Sequence, residues 1–235
     1  MARERITDQP AFLLHSVPYS ETSLVLDLLT RDHGRIAALA KGAKRPRSAL
    51  RAVLLQFQPL LVAYTGRGEL RTLTGADWQG GLESPRGNGL MSAFYLNELL
   101  MRLIAREDPC PEVFDEYERA LRQIATGTEL ESTLRRFEWT LMRETGVAPD
   151  LTTDAAGKAI EAGKHYHWIP NGGFALSEPT DNSVSGETLT GLAANQFDND
   201  RIRQQAKHLT RRIMTHCLDG WQLSTRKIMQ DLQRH

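Results

Sequence analysis

The chain is poor in the features that most secreted, membrane and catalytic proteins depend on. Only two of its 235 residues are cysteines. Cys110 and Cys217 stand far apart and in no metal-ligand spacing, which argues against a disulfide framework and for a reducing compartment. No apolar run is long enough to cross a membrane, and the opening Arg3, Glu4, Arg5 and Asp8 are unlike a signal peptide, so the expected location is the cytoplasm. The phosphate-cradling Walker A arrangement is missing, because Ala40-Lys-Gly-Ala-Lys44 lacks its glycine spacing and its Ser or Thr. Ser16, Ser20 and Ser23 have no Gly-x-Ser-x-Gly context. His165 and His167, two apart on a predicted strand, point to one side and would need Asp150 or Asp154 to complete a metal site, with no further ligand at a defining spacing. No nucleophile or base stands beside an orienting partner, so the expectation is a protein that is no enzyme and uses no cofactor or metal.

Net charge is lacking too: 29 Lys and Arg offset 29 Asp and Glu. Any affinity for a polyanion must therefore come from uneven placement of charge. The placement is uneven. Arg31, Arg35, Lys41, Lys44, Arg45, Arg47 and Arg51 face the single acid Asp32 within a short stretch. Arg201, Arg203, Lys207, Arg211, Arg212, Arg226, Lys227 and Arg234 form a second basic region, while the acids gather between Glu107 and Glu131.

Five strands are predicted before residue 80: Phe12 to Tyr19, Leu24 to Thr30, Arg35 to Ala40, Phe57 to Tyr64, and Leu70 to Trp78. The turns between them carry Asp32-His33-Gly34 and Gly66-Arg67-Gly68. Near-continuous apolar runs such as Leu60 to Tyr64 suit strands that bend around a closed core, and a five-stranded OB-type barrel is the economical solution because closure removes exposed edges. Ser, Pro, Gly and Asn at Glu83 to Gly89 mark a boundary, giving a barrel domain over 1–80 and a helical domain over 81–235. Amphipathic helices follow from Leu90 to Ile104, from Pro111 to Ile124, and from Leu130 to Thr145. An insert at about 148–178 contains a hairpin, His165 to Ile169 and Phe174 to Leu176, around the turn Asn171-Gly172. Helices resume at Glu187 to Asn195, Asp200 to Cys217 and Ser224 to Gln233. The fold class is thus α+β.

Several stretches stand out by their order and spacing: His15-Ser-Val-Pro-Tyr-Ser-Glu-Thr-Ser-Leu24, Leu29-Thr-Arg-Asp-His-Gly-Arg35, Ala40-Lys-Gly-Ala-Lys44, Gly66-Arg-Gly-Glu-Leu70, Phe94-Tyr-Leu-Asn-Glu-Leu-Leu100, Leu134-Arg-Arg-Phe-Glu138 and Leu223-Ser-Thr-Arg226. Together they resemble the bacterial RecO family of recombination mediator proteins. The resemblance implies an OB-fold followed by helices, DNA repair and recombination without catalysis, and a cytoplasmic, nucleoid-associated location. It also implies binding of single- and double-stranded DNA, annealing of complementary strands, recognition of the C-terminal tail of single-stranded DNA-binding protein (SSB), and work with RecR to load RecA, with RecF a further candidate partner. Many members carry four cysteines as a zinc site in the insert. Here Pro149-Asp-Leu-Thr-Thr-Asp-Ala-Ala-Gly157 holds none, as in the zinc-free branch.

Two candidate sites follow. For DNA they are Arg35, Lys41, Lys44, Arg45, Arg47 and Arg51, extended by Arg67 and Arg71, since each cation that neutralises a phosphate releases counterions. A solvated charged loop is the competing reading. Tyr19, Phe57, Tyr64 and Trp78 are available for stacking, but their apolar strands favour core packing for most. For the SSB tail, the resemblance points to Arg135, Arg136, Phe137 and Leu141, where guanidinium groups stand beside apolar residues. Pairing of the arginines with Glu131 or Glu138 on the same helix is the alternative. The basic face of the Asp200 to Cys217 helix is a further contact for DNA or SSB, or is simply solvated. An OB-type RNA-binding protein or chaperone, or an adaptor without nucleic-acid affinity, are the readings from other classes.

Overall fold

The computed structural model of the chain describes residues 5–127, 129–196, 199–218 and 223–225, in two compact units, Met1–Thr128 and Glu129–His235. Most of the predicted last helix, with Arg226, Lys227 and Arg234, lies outside the described residues. No described helix is long and apolar enough to cross a membrane.

In the first unit β1 (Arg5–Pro18), β2 (Leu24–Thr30), β3 (Gly34–Ala40), β4 (Pro59–Thr65) and β5 (Leu70–Trp78) close into a barrel with strand order β1-β2-β3-β5-β4. All pairings are antiparallel except β3 with β5. The 14-residue β1 makes closure possible by pairing with both β2 and β4, and the register shift between Leu13 and His15 lets it bend from one sheet direction into the other. Alternation then fills the interior with Ala11, Leu13, Leu26, Leu28, Ile36, Ala38, Leu60 and Val62.

The apolar runs have a second cause besides curvature. α2 (Gly87–Leu103) and α3 (Pro111–Thr126) belong to the same compact unit as the barrel and cover part of its outer face. Phe12 meets Phe114 at 5.3 Å between ring centroids and Tyr117 edge-on at 5.1 Å. Asn97 donates to the Leu14 carbonyl at 2.9 Å and accepts from the Tyr117 hydroxyl at 2.5 Å. Burying a side chain of the Phe12 type contributes about 1.5–3 kcal/mol, so helices and barrel hold together past the last strand.

Between β3 and β4 lies α1 (Ala49–Val53), a short helix absent from the predicted elements because it buries no residue fully and shows no usable periodicity. Leu50 and Leu54 still pack against the barrel core. Gly34 opens β3 with φ +65°, and a Cβ there would stand 2.2 Å from the Asp108 carbonyl oxygen, so only glycine lets the segment after α2 approach.

The second unit contains α4 (Leu130–Glu144), α5 (Gly186–Ala193), α6 (Asp200–Cys217) and a three-stranded sheet ordered β7-β6-β8. β6 (His165–Ile169) and β7 (Gly173–Ser177) are the expected hairpin, and β8 (Val184–Ser185), too short to show a pattern, pairs antiparallel with β6. Ser185 caps α5 by accepting from Thr188 N–H at 3.2 Å, and Asn199 caps α6 by accepting from Ile202 N–H at 2.8 Å. Ahead of the hairpin, Asp150 accepts from the Thr152 N–H at 2.7 Å and the Thr153 hydroxyl at 2.5 Å, and Asp154 accepts from Ala156 N–H at 2.9 Å and Lys158 N–H at 2.8 Å. Carboxylates close these turns. Among the described residues no group of three or more His, Cys, Asp and Glu side chains is placed to hold a metal ion, His165 and His167 included.

Candidate nucleic-acid interface

The cations expected to bind DNA fall into two groups. Lys41, Lys44, Arg45, Arg47 and Arg51 are all exposed on the connection from β3 through α1. None of the five is paired with a carboxylate among the described residues. Their loop is bent by a chain of short-range hydrogen bonds: Arg45 N–H to Gly42 carbonyl at 3.1 Å, then Ser48 N–H to Arg45 carbonyl at 3.0 Å. Gly42, at φ +69°, supplies the left-handed residue that this bend needs. The loop is tied to the turn between β1 and β2 by Lys44, whose N–H donates to the Thr22 carbonyl at 2.9 Å and whose Nζ donates to the Ser20 carbonyl at 3.3 Å.

Arg35 and Arg71 have internal work instead. The Arg35 side chain is only 12% exposed, its Nε lies 3.7 Å from Asp27 Oδ1, and its Nη1 donates to the Met101 carbonyl at the end of α2. Burial lowers its pKa, partly offset by the Asp27 charge, while Arg106 adds to the lowering. Arg71 is bonded to Glu107 at 2.9 Å and to the Gly66 carbonyl at 3.2 Å, with its guanidinium 5.7 Å from the centre of the Tyr64 ring. Arg67 is exposed at the turn between β4 and β5. Arg31, counted with the basic run, forms a two-bond pair with Asp115 at 3.0 Å per bond, which raises its pKa. In the sequence the run faces one acid; folding brings Asp27 and Asp115 to its Arg35 and Arg31, and Glu107 to Arg71.

The aromatics divide similarly. Phe57 and Tyr64 are in the interior, at 5% and 1% exposure, whereas Tyr19 is 63% exposed on the turn that Lys44 grips. Trp78 is 55% exposed with its indole N–H donated to Gln58 at 2.9 Å. The signal for Tyr19 was its place between Pro18 and Ser20, beyond the last inward-facing position of β1.

In the second unit, the four residues assigned to a peptide tail are not side by side on the surface. Arg135 is buried against Glu138 at 2.5 Å and Thr210 at 3.3 Å, and Phe137 and Leu141 are fully enclosed. Arg136 alone faces outward, lining a cleft of about 690 Å³ with Arg203, Asn195, Gln196 and Glu131. Arg136 forms no ion pair with a described residue. Glu131 is taken by Lys207 at 2.6 Å, and that hydrogen bond holds its carboxyl below the usual carboxylate range.

A closed barrel ordered β1-β2-β3-β5-β4 with a helix between β3 and β4 defines an OB-type protein, here continued by helices and presenting a cationic loop that has no carboxylate partner among the described residues. Residues 1–81 match the family described as recombination protein O N terminal, and residues 86–226 match recombination protein O C terminal. The chain therefore belongs to the RecO family of DNA repair proteins. It is 46% identical over 237 residues to the DNA repair protein RecO of Ralstonia nicotianae, covering 99% of this chain and 87% of that one. Against the RecO protein of Burkholderia pseudomallei it is 47% identical, covering 97% and 85% of the two chains. Against that of Chromobacterium violaceum it is 43% identical, covering 97% and 96%.

Proposed function

We propose that this chain is a non-catalytic recombination mediator of the cytoplasm and nucleoid that binds single- and double-stranded DNA through its barrel, anneals complementary strands, and with RecR promotes loading of RecA onto SSB-coated DNA. The observation that carries the DNA-binding reading is the set of five exposed cations, Lys41, Lys44, Arg45, Arg47 and Arg51, on one bent connection with no carboxylate partner among the described residues. Unpaired surface cations beside one another neutralise successive phosphates without sequence preference. Family membership supports the repair role, and the absence of a nucleophile-base pair in the sequence supports a role without catalysis.

For the SSB tail, the support shifts from Arg135 to Arg136. An acidic peptide end needs reachable guanidinium groups, and Arg136 and Arg203 line one cleft beside the amides of Asn195 and Gln196.

The test is binding of an oligonucleotide across a salt series. Replacing Lys41, Lys44 and Arg45 together should lower the log-log salt slope for a single strand by about 0.7 per lost phosphate contact. An unchanged slope removes the loop from the interface.

A further inference from the structure

The connection that carries the five exposed cations is attached at both ends to β1, and its far attachment is shared with the helices. Leu14 is the extra residue of the register shift between Leu13 and His15, so it falls outside the register of both ladders of β1. It is fully buried. Its carbonyl accepts instead from two side chains, Gln56 at 2.5 Å and Asn97 at 2.9 Å, one for each lone pair of the oxygen. Gln56 stands just beyond α1, at the end of the connection, and forms an isolated parallel bridge with Leu13. Asn97, buried on α2, is fixed in turn by the Tyr117 hydroxyl of α3.

Phe57 repeats the attachment. It is buried, with a left-handed φ of +64° that a bulky residue takes only where its surroundings impose it, and its ring meets Phe94 of α2 edge-on at 5.0 Å. At the near end, Lys44 N–H and Nζ hold the Thr22 and Ser20 carbonyls on the turn that continues β1. Arg45, Arg47 and Arg51 lie between the two attachments.

We propose, on the DNA-binding reading of this connection, that Asn97 and Gln56 are positioning residues for polynucleotide binding. Through the Leu14 carbonyl they hold the far end of the connection, so that its charges are spaced for successive phosphates before a strand arrives. Neither side chain touches the strand. A connection loose at one end would lose backbone and side-chain freedom on binding, and that loss subtracts from affinity; a connection set in advance avoids it. The salt slope counts neutralised phosphates, so positioning changes affinity and leaves the slope alone.

The test uses the full chain with Asn97→Leu and Gln56→Met, which remove a donor while keeping much the same size. Tyr117→Phe is the comparison, because it takes a bond from Asn97 and leaves the Leu14 carbonyl its two donors. Oligothymidylate binding is read by fluorescence anisotropy across a salt series, and amide hydrogen exchange is read on the free chain. Asn97→Leu and Gln56→Met should each weaken binding about two- to tenfold, the range for ordering one further side chain, at an unchanged salt slope. The Lys44 and Ser48 amides, bonded to Thr22 and Arg45, should exchange faster in both variants, while amides of the β4–β5 ladder keep their rates. Tyr117→Phe should alter neither reading. Unchanged affinity in the folded variants overturns the positioning role, and so does an equal loss in Tyr117→Phe, which would trace the effect to general loosening of the helices. A lower salt slope in Gln56→Met overturns it as well, since a phosphate contact would then have gone with the side chain. If Asn97→Leu does not fold, the half-buried Gln56 decides alone. Failure of the unaltered chain to bind oligothymidylate overturns the DNA-binding reading and the positioning role together, whereas the other contrary results leave the cationic interface standing.

Discussion

Arg135 and Glu138 form an ion pair inside the helical unit, 2.5 Å between Nη2 and Oε1, with side chains 6% and 1% exposed. Thr210 of α6 accepts a further bond from Arg135 at 3.3 Å, so the pair ties α4 to α6. Removing one partner of a buried pair leaves the other charge uncompensated, which costs about 3–5 kcal/mol. Arg135→Ala should lower the unfolding free energy of this unit by that order, read by chemical denaturation, while barrel-dependent DNA binding is retained. Normal stability with weakened peptide binding would return Arg135 to the interface.

Arg136→Glu should have the opposite profile. The residue is half-buried, lines the cleft with Arg203, and has no ion pair to break among the described residues. Reversing its charge should weaken binding of an acidic SSB-tail peptide about tenfold or more, with the unfolding midpoint unchanged, in line with the value of charged contacts at a partly desolvated interface. Isothermal titration with the peptide reads the first quantity and chemical denaturation the second.

The two cation groups of the barrel should separate in the same way. Arg35→Ala removes one of the two arginines that pair with Asp27, Arg106 remaining at 3.0 Å, and leaves the Met101 carbonyl without its Arg35 bond, so it should destabilise the first unit, by about 1–3 kcal/mol for a buried polar group left behind, and hardly alter the salt slope of DNA binding. Lys41→Ala should do the reverse. A salt slope more sensitive to Arg35 than to Lys41 would contradict the division.

Gly34→Ala combines a left-handed backbone with a Cβ placed 2.2 Å from a backbone oxygen of Asp108. The segment after α2 must then shift. A drop in thermal stability beyond the roughly 1 kcal/mol of the backbone preference alone is expected, and calorimetry on the variant checks it.

The turns ahead of the hairpin should be sensitive to acid and indifferent to chelators. The Asp150 carboxyl is held below its ordinary 3.8 chiefly by the Thr152 and Thr153 hydroxyls. Because the folded value is depressed, the stabilisation is present above the ordinary carboxylate value and is lost as pH falls through the lower, folded one. The amide signal of Thr152 should therefore hold at neutral pH, in the presence of a chelator as well, and shift only below about pH 4. Loss of the turn on chelation at pH 7 would mean a metal holds it.

The cationic loop was legible because its residues are neighbours in the chain: Lys41, Lys44, Arg45, Arg47 and Arg51 need no long-range contact to be together. The barrel strands were legible for a related reason, since period-two burial with turn residues between is a local pattern, and four of the five strand starts fall within two residues of expectation. The exception is β1, which begins at Arg5, several residues before Phe12, because its first residues have little apolar content and are recruited only by pairing with β4. α1 and β8 escaped because elements of five and two residues carry no period.

Local order along the chain therefore determined the α+β class, the strands, the larger helices and the charged loop, because each of these is specified by residues close together in sequence. Tertiary structure alone decided which charges are free to meet a ligand. Asp27, Glu107 and Asp115 reach Arg35, Arg71 and Arg31 only after the chain folds back, and the side of α4 that is buried depends on α6, which arrives some sixty residues later. Burial and ion pairing are properties of position in space, so a cation in the sequence becomes a binding residue or a structural one according to what folding packs against it.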